Sequence, residues 1–191
     1  MKKKAPLYLG IDPSLTHIGF ACLQNRELFP LSSKTIKSPR KSRGAVRLEW
    51  ITHQVIEYID YLMGFGQIEL IVMEDYAYGG HNLAELGEAG GAIMAAIFSK
   101  VSVDIIRATP KQVKKFATGN SGATKEQIMQ IYRADDDHKA DAWVMAEIAQ
   151  AISQGRQMRE RGKAEVVHML KKRAPNVRKP KKLTVDRVNL I

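Results

Sequence analysis

The sequence of 191 residues has almost no cysteine and no long apolar run. The single cysteine, Cys22, leaves no pair for an intramolecular disulfide, which excludes a small secreted scaffold held together by disulfides. No apolar segment approaches the roughly 18 residues of a membrane-spanning helix. The apolar stretch near the start is interrupted by Asp12, and no small-residue cleavage site follows it, so we expect no export signal. These absences predict a cytoplasmic protein without a membrane partner.

Positive charge is concentrated in the last fifth of the chain. Residues 156–191 contain 12 lysines and arginines and 3 acidic residues, whereas residues 1–155 contain 18 basic and 17 acidic residues. We therefore expect a folded domain over residues 1–155 and a basic C-terminal arm over residues 156–191. An arm of this composition is typical of segments that bind nucleic-acid phosphates, with Lys171, Lys172 and Arg173 as candidates, although a solubilising tail has the same composition. The apolar stretches at residues 166–170 and 183–188 leave a third alternative, in which the segment packs on the domain.

Hydrophobic patterning predicts an α/β domain. Apolar runs indicate strands at residues 7–11, 17–23, 28–36, 68–74 and 102–106. Helical spacing indicates helices at residues 44–63, 83–97, from 110 onward, 125–133 and 136–151. Three strands followed by alternating helices and strands predict a mixed five-stranded sheet with helices on both faces.

Two acidic residues end strands that are predicted to be apolar. Asp12 ends the strand in LGIDPS, and Glu74 ends the run in IVMED. A carboxylate at the end of a buried strand loses hydration and gains nothing unless a cation or a donor lies near it. If the two strands are neighbours, the carboxylates meet at one edge of the sheet. Taken singly, each is also explained as a turn cap or an exposed strand end.

A further polar pair lies in the last predicted core helix, in DDDHKADAW. His138 and Asp141 are three residues apart and share one helix face, while Asp135, Asp136 and Asp137 favour the helix N-terminus. Oxygen ligands with one imidazole suit Mg²⁺ or Mn²⁺ rather than a structural zinc. Two such ions activate a water and stabilise the leaving oxygen in phosphodiester cleavage. An acidic metal site beside a basic arm indicates a nuclease.

Four segments of the chain resemble the landmarks of RuvC-type Holliday junction resolvases. They are LGIDPSLTHIGFACL, IVMEDYAYGGHNLAELGEAGGAI, TPKQVKKFATGNSGATKEQIM and DHKADAWVMA, and they occur in this order across about residues 7–150. The resemblance implies a ribonuclease H-like fold over residues 1–155 and a homodimer. It also implies two-metal hydrolysis of four-way DNA junctions, which leaves 5′-phosphate and 3′-hydroxyl ends.

The resemblance also implies which residues form the site. The implied metal ligands, which are also the catalytic carboxylates and imidazole, are Asp12, Glu74, His138 and Asp141. Two Mg²⁺ ions per active site are implied, with Mn²⁺ as a substitute, and no small organic cofactor. Lys114 and Lys125 match the two lysines that lie near the scissile region in the family.

Several residues are candidates for DNA contact. Family members place an aromatic wedge just after the glutamate, and here either Tyr76 or Tyr78 matches it. Lys111, Lys114 and Lys115 lie within about one turn of the helix that begins near Pro110, where we expect phosphate contacts.

The basic extension is longer than in the compact bacterial enzymes and resembles that of phage-encoded relatives, which act more broadly on branched DNA, including forks and flaps. We therefore expect activity on branched DNA in a prokaryotic cytoplasm, with a phage-encoded origin as an alternative.

Two other functions fit part of the pattern. A ribonuclease H-like enzyme that acts on RNA–DNA hybrids would share the ligands, but not the Gly-rich second helix or the tyrosine loop. A non-catalytic, structure-specific DNA-binding protein would keep the basic residues, although all four ligand positions are filled in this chain. The remaining histidines have no ligand-spaced companion, and we expect them at the surface or in packing contacts; they are His17, His53, His81 and His168.

Overall fold

The computed structural model of the chain describes residues 4–39, 42–75 and 83–173. In chain order, the helices and strands of these ranges are β1 (Pro6–Pro13), β2 (His17–Gln24), β3 (Ser32–Lys37), α1 (Gly44–Met63), β4 (Gln67–Glu74), α2 (Leu83–Lys100), β5 (Ile105–Ala108), α3 (Pro110–Thr118), α4 (Lys125–Tyr132), α5 (Asp137–Ser153) and α6 (Arg161–Arg173). Among the described helices, none combines the length and the hydropathy that a membrane span needs.

The strands form one five-stranded sheet in the order β3-β2-β1-β4-β5. Strands β1, β2 and β3 are antiparallel neighbours, whereas β4 runs parallel to both β1 and β5. This confirms the predicted mixed sheet. It also makes neighbours of β1 and β4, the two strands that end near Asp12 and Glu74.

Alternation of side chains along the central strands divides the core into two layers. Leu7, Leu9 and Ile11 are buried in the layer that contains α1 and α2. Tyr8 and Val72 are buried in the other layer, with α3, α4, α5 and α6. The helices therefore cover both faces of the sheet, as predicted.

Helix α6 lies within the segment predicted to be a basic arm. Its Val166 and Leu170 are fully buried in the layer that contains α5, and Glu165 forms an ion pair with Lys115 of α3. Residues 156–173 therefore include a helix that packs on the domain. Residues 174–191 lie outside the described residues, and the division of the chain at residue 155 stays a prediction.

Candidate active site

Asp12 and Glu74 lie at one edge of the sheet on neighbouring strands. In the parallel pair of β1 and β4, Gly10 is beside Val72 and Ile11 is beside Met73, which brings Asp12 level with Glu74. Because side chains alternate along a strand, both carboxylates belong to the face that α5 covers. Asp12 is buried and Glu74 is half-buried. The structure thus brings the two strand-end carboxylates together.

Two glycines allow α5 to lie directly on this face of the sheet. A Cβ atom on Gly10 would be 1.9 Å from the carbonyl oxygen of Ala142, and one on Gly19 would be 2.2 Å from the carbonyl oxygen of His138. Contacts this short are sterically forbidden, so only glycine permits the approach of the two backbones. The two glycines therefore determine how closely the first turns of α5 approach the sheet and its carboxylates.

The N-terminus of α5 is anchored to the edge strand β3. Asp136 is the N-cap, and its Oδ1 accepts hydrogen bonds from the backbone N–H of Lys139 at 3.0 Å and from Oγ1 of Thr35 at 2.8 Å. Thr35 pairs with Gly19 across β2 and β3. Asp136 is therefore a capping residue, as predicted, and it also fixes where the helix begins relative to the sheet.

Asp12 is the central member of an acidic cluster. Nδ1 of His138 donates a hydrogen bond to Oδ2 of Asp12 at 2.6 Å, and Glu74 lies close enough to Asp12 for the two carboxyl groups to raise the pKa of Glu74. Asp141 is buried and lies close enough to Asp12 for their charges to interact. The four residues that the resemblance implied as ligands are thus together in the structure.

Burial and mutual repulsion oppose full ionisation of this cluster. Burial, and after it the charge of Asp12, raises the pKa of Glu74 well above its ordinary value and the pKa of Asp141 to about 7. The hydrogen bond to Asp12 raises the pKa of His138, although burial of the ring acts in the opposite direction. Near neutral pH, the cluster therefore favours a nearby positive charge.

Lys125 brings one such charge to the cluster. Its Nζ lies 2.5 Å from Oδ2 of Asp137, in the first turn of α5. Burial alone would lower the pKa of Lys125, but the hydrogen bond to Asp137 and the charges of Asp12 and Asp141 outweigh it, so the pKa is raised. The role of Asp137 as the partner of Lys125 was not predicted, because the pairing joins two separate helices.

The donor set of the cluster fits a hard divalent cation. Three carboxylates with one imidazole are ligands that Mg²⁺ and Mn²⁺ accept, and a cation would relieve the repulsion that raises the carboxyl pKa values. Within the described ranges, no group of three or more His, Cys, Asp or Glu side chains is arranged to hold an ion as it stands. The Nδ1 atom of His138 is instead hydrogen-bonded to Oδ2 of Asp12.

The other lysines predicted for the site lie on α3 and α6. Lys111 is exposed and Lys114 is half-buried on α3, where neither contacts the acidic cluster through a side-chain bond among the described residues. Lys115 instead forms its ion pair with Glu165 and so joins α3 to α6. Lys171 and Lys172 are exposed near the end of α6. Contact of these lysines with DNA stays a prediction.

Three residues predicted to contact DNA lie wholly or partly outside the described residues. Tyr76 and Tyr78 lie in the range 76–82, and the side chain of Arg173 also lies outside the described part of the chain. Their assignment stays a prediction from the resemblance.

His17 is a site residue whose position the sequence did not predict. Its ring makes a packing contact, which is one of the two expected alternatives, and the partner is the ring of His138, with centroids 5.2 Å apart and ring planes 11° apart. His17 precedes Gly19 by two residues on β2, so both belong to the face that α5 covers. The spacing of two residues between His17 and Gly19 on one strand is the sequence signal that could have related His17 to the site.

The chain is similar to members of one family. The family model described as "Crossover junction endodeoxyribonuclease RuvC" matches residues 8–153. The crossover junction endodeoxyribonuclease RuvC of Rickettsia prowazekii is 32% identical over 131 residues, which cover 66% of this chain and 80% of that protein.

Two solved structures of Thermus thermophilus RuvC have the same fold. The RuvC structure is 23% identical with a TM-score of 0.61, and the match covers 78% of this chain and 96% of that one. RuvC in complex with Holliday junction substrate is 26% identical with a TM-score of 0.59, and the match covers 73% and 90% of the two chains. The expected ribonuclease H-like fold is therefore confirmed. Because the RuvC family model matches residues 8–153, which are most of this chain, the chain belongs to the RuvC family of crossover junction endodeoxyribonucleases.

Proposed function

We propose that this protein is a metal-dependent endonuclease that cuts Holliday junctions and other branched DNA to 5′-phosphate and 3′-hydroxyl ends. The RuvC family consists of metal-dependent nucleases, and one of the similar solved structures is a complex with a Holliday junction substrate. The single observation that carries the proposal is the cluster at the ends of β1 and β4. Its members are Asp12, Glu74, His138 and Asp141.

The cluster would hold two Mg²⁺ ions, with Mn²⁺ as a substitute. When bound, such ions supply activation of the attacking water and stabilisation of the leaving oxygen. Asp12 and Asp141 are buried, so their charges are weakly screened by solvent. The side chain of His138 keeps 19% of its surface exposed, so the cluster is in contact with solvent at this residue.

Lys125 would hold the phosphate next to the bond that is cut. Its side chain is 51% exposed, although its Nζ is paired with Asp137. A lysine in this position can turn from the carboxylate to a phosphate oxygen without unfolding its helix. Lys114, one turn from the start of α3, is proposed to bind the neighbouring phosphate, in line with the resemblance.

The DNA arms would lie along the exposed lysines of α3 and α6. Lys111 is exposed near the start of α3, and Lys171 and Lys172 are exposed near the end of α6, which packs against α3 and β5. Such contacts strengthen binding to any duplex through the phosphates. Structure selectivity would depend instead on the tyrosines that follow Glu74, Tyr76 or Tyr78, which we propose stack in the junction.

A homodimer would supply the two matched nicks that resolve a junction, because a two-fold axis repeats the active site. The outward side of α2 is the proposed interface. A Cβ atom on Gly91 would meet nothing within 4 Å, and Phe98 is 54% exposed on the same helix. Sedimentation should show a dimer at micromolar protein, and a monomer that persists with junction DNA present would contradict this assembly.

A panel of labelled substrates tests the proposed function. We expect Mg²⁺-dependent cutting of a four-way junction, a fork and a flap, no cutting in EDTA, and little cutting of linear duplex. An RNA–DNA hybrid serves as the control for a ribonuclease. Preferred cutting of the hybrid would overturn junction resolution as the activity, and binding without any cutting in Mg²⁺ or Mn²⁺ would indicate a DNA-binding protein instead.

A further inference from the structure

His17 and Gly19 are neighbours on the face of β2 that α5 covers. Gly19 leaves room for the backbone of His138, and the ring of His17, two residues earlier, stacks on the ring of His138. The loop that follows Asp12 holds His17 in place. Its backbone N–H donates to Oγ of Ser14 at 2.9 Å, and its Nδ1 lies 3.0 Å from Oγ1 of Thr16.

Three neighbours determine the orientation of the His138 ring. Nδ1 is hydrogen-bonded to Asp12 at 2.6 Å, Nε2 lies 4.0 Å from Oδ1 of Asp137, and the ring stacks on the ring of His17. Both carboxylates carry charge, so a cation that enters the cluster would change their attraction to the ring. The nearly parallel stack with His17 does not compete with a cation. It uses the face of the His138 ring and leaves both ring nitrogens free of His17, and it does not depend on the charge of a carboxylate.

We propose that His17 is a positioning residue for the metal centre: its ring fixes the plane of the His138 imidazole so that His138 is presented to the ion in one orientation. His17 itself does not bind the ion. This proposal rests on the proposed function, since it assumes that His138 is a ligand. Ligand histidines are commonly oriented by a partner that accepts a hydrogen bond from the free ring nitrogen, and losing that partner weakens metal binding. The stacked ring of His17 would orient His138 through ring contact instead.

Binding of Mn²⁺ to the DNA-free protein tests the proposal, measured by titration calorimetry on wild type, His17→Ala and His17→Phe. His17→Ala should weaken Mn²⁺ binding roughly three- to tenfold, as expected when one aromatic contact to a ligand ring is lost. His17→Phe keeps a flat ring and should bind within about twofold of wild type. His53→Ala is the matched control, because the His53 side chain is 67% exposed on α1 and pairs with Glu57 outside the cluster.

Thermal unfolding of each variant shows whether weaker Mn²⁺ binding is caused by a loss of ring positioning or by unfolding of the protein. If His17→Ala is unfolded at the assay temperature, His17→Gln replaces it, since glutamine keeps a polar group beside Thr16 but has no ring. Wild-type Mn²⁺ affinity in a folded variant without the ring would overturn the proposal, and so would a folded His17→Phe that binds as weakly as His17→Ala. A wild-type protein that binds no Mn²⁺ at all would instead overturn the metal centre on which the proposal rests.

Cleavage of a four-way junction gives a second measurement. In His17→Ala, the Mn²⁺ concentration for half-maximal rate should rise by the same factor as the dissociation constant, while the rate at saturating Mn²⁺ should stay close to that of wild type. A lower saturating rate with an unchanged half-maximal concentration would contradict a positioning role.

Discussion

A Cβ atom on Gly19 would lie 2.2 Å from the carbonyl oxygen of His138 and 2.6 Å from its carbonyl carbon. The contact between β2 and α5 is therefore a backbone contact, and it decides how near the helix lies to the acidic cluster.

We predict that Gly19→Ala lowers the free energy of unfolding by about 1–3 kcal/mol, because α5 has to move off the sheet. Chemical denaturation measures this change. Gly122→Ala is the control, since a Cβ atom there meets only Oδ1 of Asn120 at 3.4 Å. Equal unfolding free energies for the two variants would show that the close approach at Gly19 does not determine the packing of α5.

The stability of the metal-free protein should fall as the pH rises. Folding raises the pKa of Asp141 from 3.8 to about 7, and it raises the pKa of Glu74 as well, in both cases first through burial. A carboxyl group with a raised pKa contributes stability that is lost as the pH rises through its folded pKa. The raised pKa of His138 acts in the same direction, because its contribution is present below the unfolded pKa and is lost above the folded one.

The melting temperature in EDTA should therefore decrease from about pH 5 to about pH 8, and Mg²⁺ should reduce the decrease. Asp141→Asn removes one of the repelling charges, so its decrease in EDTA should be smaller than that of wild type. Scanning calorimetry at several pH values checks this. A wild-type melting temperature that rises over this range in EDTA would contradict the repulsion within the cluster.

Two truncations should separate the packed helix α6 from the basic residues that follow it. Removing residues 156–191 exposes the surface that Val166 and Leu170 cover, so the melting temperature should fall or soluble protein should be lost. Removing residues 174–191 takes away five basic residues and one acidic residue, and the melting temperature should stay unchanged.

The protein that lacks only residues 174–191 should bind DNA less tightly than wild type. Each lost phosphate contact should flatten the slope of log K against log salt by about 0.9. Fluorescence anisotropy over a salt series measures the slope, and an unchanged slope would mean that residues 174–191 do not contact phosphates.

Substitution of His138 should show whether this residue binds the metal or only stabilises the fold. If His138 is a metal ligand, His138→Asp should keep cleavage activity, because an oxygen ligand suits the same ions, whereas His138→Ala should lose most of it. Single-turnover rates on a four-way junction provide the comparison. An alanine variant that is more active than the aspartate variant would mean that His138 serves the fold rather than the metal.

The sheet, its helices and the acidic cluster were predictable because they depend on local patterns and motif spacing. The apolar run before Glu74 and the helical spacing before Met63 gave elements close to those of the structure. Strand β5 was predicted at residues 102–106 but lies at Ile105–Ala108, because the pairing of Glu74 with Ala108 draws the later residues into the sheet. That pairing is a tertiary contact and leaves no periodic signal in so short a strand.

Helix α6 and the contacts of His17 were not predictable in the same way. The basic residues of α6 indicated an arm, and its apolar stretch at residues 166–170 left packing on the domain open. Only the surface that α3 and α5 present together decides for packing. The stack of His17 on His138 depends on the register between β1 and β2 and on the depth that Gly10 and Gly19 allow. Both arise only once separate elements are assembled.

The most direct test of the metal-dependent cleavage site is the single-turnover rate of four-way junction cleavage in Mg²⁺ by wild type, Asp12→Asn, Glu74→Gln and Asp141→Asn. Each variant removes one carboxylate charge and leaves the basic surface intact. We predict that each rate falls by more than about 100-fold, while junction binding in Ca²⁺ stays within about twofold of wild type. Cutting at the wild-type rate by any of the three would contradict the role of that carboxylate in the site.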